Sequence, residues 1–123
     1  MRFLFRRSRD ARDAKRAVTE AVRRAETIID EMMRAAVDPR SREAISAAIE
    51  SYIETYGEPR FRIDCYRCGK AVADLPLVYP SARGLWTWMP PAYYVARFNH
   101  EENDRRCGAC GAKFPVVEPD YPR

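Results

Sequence analysis

The only four cysteines of the chain fall as two C-x-x-C-G units, Cys65-Tyr66-Arg67-Cys68-Gly69 and Cys107-Gly108-Ala109-Cys110-Gly111. Two residues between the thiols let one tight turn aim both sulfurs at a single point. The glycine after each second cysteine provides a backbone position that tolerates positive φ, so the chain can curl beneath an ion. Two such turns supply four thiolates, the donor set of a closed tetrahedral site. Any fold must therefore bring together two turns separated by 38 residues.

Hydrophobic residues make up 46% of the chain and charged residues 33%, which predicts a folded, water-soluble protein. No apolar run approaches the ~18–20 residues of a membrane span. The opening Met1-Arg2-Phe3-Leu4-Phe5-Arg6-Arg7 has too short an apolar core for a signal peptide. The expected location is the reducing cytoplasm, where paired cysteines serve as metal ligands; disulfide bonding is the alternative.

From Phe61 to Val117 the sequence resembles the zinc-ribbon superfamily, whose members carry paired C-x-x-C knuckles on β-hairpins. The resemblance rests on the four cysteines and Gly69 and Gly111. It implies one Zn²⁺ held by Cys65, Cys68, Cys107 and Cys110. Four thiolates leave no open coordination position, so such a metal is structural and its binding energy is folding energy. The two units are also similar to those of rubredoxins, where Cys₄ iron carries one electron. Tetrahedral sulfur ligation does not itself choose between the metals.

Charge is distributed in three blocks. Residues 1–24 carry nine basic against three acidic side chains, residues 25–58 three against eight, and residues 59–123 ten against seven. Nineteen of the 22 cations are arginine, which makes flat, bidentate contacts with phosphate and carboxylate.

Residues 1–9 read as an arm. Residues 10–37 read as a helix: Ala11, Ala14, Val18, Ala21, Ala25, Ile28, Met32 and Ala35 keep a 3,4 spacing, widened by Val22, Ile29 and Ala36. Asp38-Pro39 predicts a cap and first position for a second helix running to Tyr56, with Gly57 closing it. Ile45, Ile49, Tyr52, Ile53 and Tyr56 form its apolar face. The short link predicts an antiparallel helical hairpin packing on the metal region. Arg60–Asp64 alternates and predicts a strand into the first knuckle, with residues 70–73 returning. Residues 113–117 predict a strand after the second knuckle, at a sheet edge because of Pro115. Within the insert, residues 75–106, Leu85–Trp88 and Tyr93–Phe98 both read as strands and Asn99–Arg106 as a polar loop. The tail 118–123 reads as extended and mobile.

The sequence excludes most catalytic devices. His100 is the only histidine, so no two-histidine metal site exists. There is no P-loop and no G-x-G-x-x-G. Glu101, Glu102 and Asp104 read as a solvated loop. The remaining features suit recognition. Arg2, Arg6, Arg7, Arg9 and Arg12 are candidate phosphate contacts. Trp86, Trp88, Tyr93 and Tyr94, with Arg83 and Arg97 nearby, are candidates to stack on unpaired bases, although a small domain also needs aromatics for its core.

The expected architecture is α+β. A basic arm and antiparallel helical hairpin (1–58) precede a small Cys₄ zinc ribbon with an aromatic insert (59–123). The expected role is a non-enzymatic accessory protein that binds nucleic acid or a nucleoprotein machine. The alternatives are a subunit or inhibitor docking through the hairpin, whose Glu43, Glu50, Glu54 and Glu58 would face a basic partner, and a rubredoxin-like electron carrier.

Overall fold

A computed structural model describes the backbone of residues 2–121 and the side chains of residues 9–121. The 3,4 spacing of small and branched residues folds as one long helix, α1 (Arg2–Ala35). Its buried stripe is Ala14, Val18, Ala21, Val22, Ala25, Ile29 and Met32. The expected arm is a correction: the helix starts at Arg2, because nothing in residues 2–9 breaks it and its arginines and leucine favour helix.

The second helix, α2 (Arg42–Tyr56), starts later than expected. Asp38 does not cap it. Its Oδ1 accepts from the Arg40 amide at 3.0 Å, and its carbonyl accepts from the Ser41 amide at 3.1 Å, closing a turn over Pro39. Ser41 is the cap, its Oγ accepting from the Ala44 amide at 3.2 Å. Gly57 ends α2 as expected, donating its amide to the Ile53 carbonyl at 2.8 Å. The end of α1 (Met32, Ala35) and the outer half of α2 (Ala48, Tyr52, Tyr56) line a shared groove.

Strand β1 (Arg60–Asp64) pairs antiparallel with β2 (Ala71–Pro76), and β2 runs three residues further than expected. Alternation in β1 puts Phe61 and Ile63 wholly inside, each contributing about 1.5–3 kcal/mol by burial. Strand β3 (Val78–Pro80) pairs antiparallel with β4 (Trp86–Trp88), setting Val78 opposite Trp88. Residues 93–98 are not a strand. They lie in a helix, α3 (Pro91–His100), with Pro91 in its first turn and Pro91, Tyr94, Val95 and Phe98 buried. The expected polar loop is taken up by the end of α3 and a single 3₁₀ turn, Asn103–Arg105.

The expected strand at 113–117 shrinks to one bridge, Arg106 with Lys113. Pro115 has no amide to extend the ladder, and side chains replace it. Arg105 Nε donates to the Phe114 carbonyl at 3.1 Å. The Asn99 amide both donates to the Val117 carbonyl, at 2.8 Å, and accepts from the Val117 amide, at 3.1 Å. The tail is extended but held. Pro119 is buried, the Asp120 amide donates to Thr19 Oγ1 at 3.2 Å, and Lys15 pairs with Asp120 at 3.3 Å.

One apolar cluster joins these elements. It contains the α1 stripe, Ile49 of α2, Phe61 and Ile63 of β1, Tyr94 and Phe98 of α3, and Cys65 and Cys107. Phe61 stacks on Tyr94 with ring centroids 5.2 Å apart, and Phe98 meets Phe114 edge-on at 5.5 Å. The fold is thus the expected one in outline: two N-terminal helices, then small antiparallel hairpins around a cysteine cluster.

Candidate metal centre

Both C-x-x-C-G units fold the same way. In the first, the Cys65 amide donates to the Lys70 carbonyl at 2.8 Å and the Gly69 amide to the Cys65 carbonyl at 2.9 Å. In the second, the Cys107 amide donates to the Ala112 carbonyl at 2.8 Å and the Gly111 amide to the Cys107 carbonyl at 2.8 Å. The closing glycines have φ of 79° for Gly69 and 77° for Gly111, the left-handed conformation the sequence reading required. No atom lies within 4 Å of where a Cβ would stand on either, so backbone conformation and not space selects glycine.

The two turns face each other. Cys65 Sγ lies 3.7 Å from Cys110 Sγ, and Cys68 Sγ lies 3.6 Å from Cys107 Sγ. All four sulfurs fall within 4.8 Å of one another. A tetrahedron with metal–sulfur bonds of about 2.3 Å has sulfur–sulfur edges of roughly 3.8 Å, so the spacing fits one ion at the centre. Cys65 and Cys107 are buried; Cys68 and Cys110 are exposed.

The thiols influence one another. Amides of Cys110 and Ala109 donate to Cys107 and bring its pKa down to about 6. At Cys110 the Ala112 amide pulls downward, but burial and the three neighbouring sulfurs prevail and push it up to about 11. Four thiolates this close repel, and a cation between them lets all four ionise together.

The surroundings lock the cluster to the rest of the chain. Tyr66, inside the first unit, donates its hydroxyl to the Lys113 carbonyl beyond the second at 2.9 Å, and its ring packs on Phe114 at 4.9 Å. Burial, then Asp10, raises the Tyr66 pKa above that of a free phenol. Arg67 reaches Asp10 of α1 at 3.8 Å. Nothing in the spacing of Tyr66 announces this cross-link, which depends on the register of two distant turns.

The other sequence candidates disperse. Arg9 and Arg12 lie exposed on α1. The side chains of Arg2, Arg6 and Arg7 lie outside the described residues. Trp86 and Trp88 are half-buried on β4, where the Trp86 amide donates to Ser46 Oγ of α2 at 2.9 Å. Arg97 lies on α3 with its guanidinium 5.9 Å from the Tyr93 ring centroid, and it does not line the cleft beside the tryptophans. Arg42 does line that cleft, and the sequence reading missed it. No helix among the described residues is long and apolar enough to cross a membrane. No protein-family model, curated protein or solved structure gives a significant match to the chain.

Proposed function

We propose that this protein is a non-enzymatic member of the zinc-ribbon superfamily, in which one structural Zn²⁺ on Cys65, Cys68, Cys107 and Cys110 secures a scaffold that binds nucleic acid or a nucleoprotein assembly. Zinc is favoured over iron because the two knuckles close a core that includes two of the ligand cysteines, a staple for which a redox-inert d¹⁰ ion suffices. The ligands must stay reduced, which suits a cytoplasmic setting. Elemental analysis of the purified protein should give about one zinc per chain; iron with a thiolate-to-iron absorption band would refute zinc.

The observation that carries the binding proposal is the outer face of α1. Arg9, Arg16 and Arg23 recur every seven residues along it, exposed, and about 10 Å apart along the axis. Arg9 and Arg16 form no ion pair among the described residues, and Arg23 has only an exposed contact with Glu20 at 3.5 Å, which is worth little. A row of exposed guanidiniums along one helix face, two of them without an ion pair among the described residues, fits a phosphate backbone. Titration of the full chain with duplex and single-stranded oligonucleotides over a salt series tests this. Arg9→Ala with Arg16→Ala should flatten the duplex salt slope by roughly 1.8. An unchanged slope would refute the helix as the phosphate contact.

A second reading has its own observation. Tyr56 is 73% exposed and Val37 95% exposed, and Tyr56 stands 4.8 Å from Tyr52 beside the groove between α1 and α2. Such a face suits a protein partner, and an apolar interface would bind with little dependence on salt.

A further inference from the structure

A cleft of about 370 Å³ opens between the start of α2 and the β3–β4 hairpin. Its apolar wall is Ile45, Leu85, Trp86 and Trp88, and its cations are Arg42 and Arg83. Trp86 and Trp88 lie two residues apart on β4, so alternation sets them on one face. Both pack against the core and remain half-exposed. The Trp86 amide donates to Ser46 Oγ at 2.9 Å, tying this strand to α2. Four other clefts of about 340–400 Å³ among the described residues pair their cations with carboxylates, Asp74 and Asp104, Glu31, Glu20, or Glu101 and Asp104, whereas this one has cations without a carboxylate. Among the described residues Arg42 and Arg83 make no ion pair. They come from different elements, α2 and the turn between β3 and β4.

We propose that this cleft holds a single-stranded segment of nucleic acid, one unstacked base lying against the tryptophan wall and neighbouring phosphates on Arg42 and Arg83. The inference deepens the nucleic-acid reading given above and assigns it a second, strand-selective contact. A base brings a flat apolar face, which indole stacks on regardless of sequence. A strand brings an anion on each side of that base, which two guanidiniums from separate elements can meet. Duplex nucleic acid keeps its bases stacked inside and cannot set one against the tryptophan wall, so nothing seats its phosphates on Arg42 and Arg83.

Both tryptophans of the chain line this cleft, so intrinsic tryptophan emission reports it directly. The zinc-loaded full chain is titrated with a short oligouridylate, the matching RNA duplex, free uridine monophosphate and an oligoglutamate peptide. The oligouridylate should quench the emission. Arg42→Ala with Arg83→Ala, both at exposed positions, should flatten the single-strand salt slope by roughly 1.4 and leave the duplex slope unchanged. Trp88→Phe, which keeps an aromatic wall, should retain more single-strand affinity than Trp88→Leu, whose loss should be roughly 5- to 150-fold. An unchanged single-strand slope, equal quenching by oligoglutamate, or equal affinity for the mononucleotide would each overturn the proposal. Loss of binding in the α1 variants with no quenching in the parent leaves the helix reading standing and removes this one. Quenching by the oligouridylate with no effect of the α1 variants does the reverse.

Discussion

At single residues, backbone conformation and burial can be separated by paired substitutions. Gly69 sits at φ 79° with no atom within 4 Å of a Cβ, whereas Gly108 is equally uncrowded without a positive φ. Gly69→Ala should therefore cost about 1–2 kcal/mol and weaken competition with a zinc chelator, while Gly108→Ala should be close to neutral in both thermal melting and metal affinity. Equal effects would mean that the knuckle does not depend on the left-handed turn. Tyr94 offers a pH test. Its hydroxyl donates to the Leu77 carbonyl at 2.9 Å, and burial raises its pKa above the ordinary phenol value. The neutral phenol is the form the fold prefers, so its contribution is complete below pH about 10 and is lost as pH rises through the raised value. Burial also raises Tyr52, Tyr66 and Tyr121. Tyr94→Phe should cost about 1 kcal/mol at neutral pH and make alkaline unfolding shallower without abolishing it, as read by circular dichroism across a pH series.

At the level of elements, local periodicity was legible and long-range replacement was not. The α1 stripe, the alternation of Phe61 and Ile63 in β1 and the paired cysteine turns all repeat within a few residues, and each took its expected form apart from the ends of the stripe, Ala11 and Ala35, which are exposed. Residues 93–98 looked like a strand because Tyr93, Tyr94, Val95 and Phe98 favour strands. The buried set Pro91, Tyr94, Val95 and Phe98 nevertheless has i, i+3, i+4, i+7 spacing, and Pro91 presets the first helical turn. Periodicity outweighed propensity. After the second knuckle, Pro115 was the local signal against a full strand, but nothing nearby announced that the Asn99 and Arg105 side chains would complete the ladder. The start of α2 is a closer contest between two capping residues. Ser41 Oγ caps the Ala44 amide while Asp38 only closes the preceding turn. Ser41→Ala should lower stability by about 1 kcal/mol, and Asp38→Ala by clearly less; the opposite order in chemical denaturation would restore Asp38 as the cap.

For the molecule as a whole, the central question is whether the proposed metal supports one hairpin or the entire chain. Buried Cys65 and Cys107 belong to the same apolar cluster as Val18 and Val22 of α1 and Ile49 of α2. The contacts that hold α1 in place include Arg67 to Asp10 at 3.8 Å, and Arg24 to the Arg62 carbonyl at 3.0 Å and to Asp64 at 3.6 Å, all near the first knuckle. Each exposed pair is weak, so their joint value lies in keeping β1 and its turn in register with the helix. In small zinc-finger peptides, structural zinc contributes on the order of 10–16 kcal/mol of binding energy to folding, comparable to or larger than the net stability of a typical domain. Removing the ion would take away the cation that lets the four sulfurs ionise together and ties the two knuckles to each other, and the β1–β2 hairpin would lose the partner that closes its end. Most of the amphipathic stripe of α1 would then face water, and a helix depends on such packing for much of its stability. Chelation, Cys107→Ser or acidification, which returns protons to the thiolates, should thus reduce helical circular dichroism together with near-ultraviolet aromatic signals, in one transition. Retention of full helicity by the stripped protein, with only the aromatic signal lost, would show instead that α1 and α2 stand without the metal and that the shared core is held from the helical side.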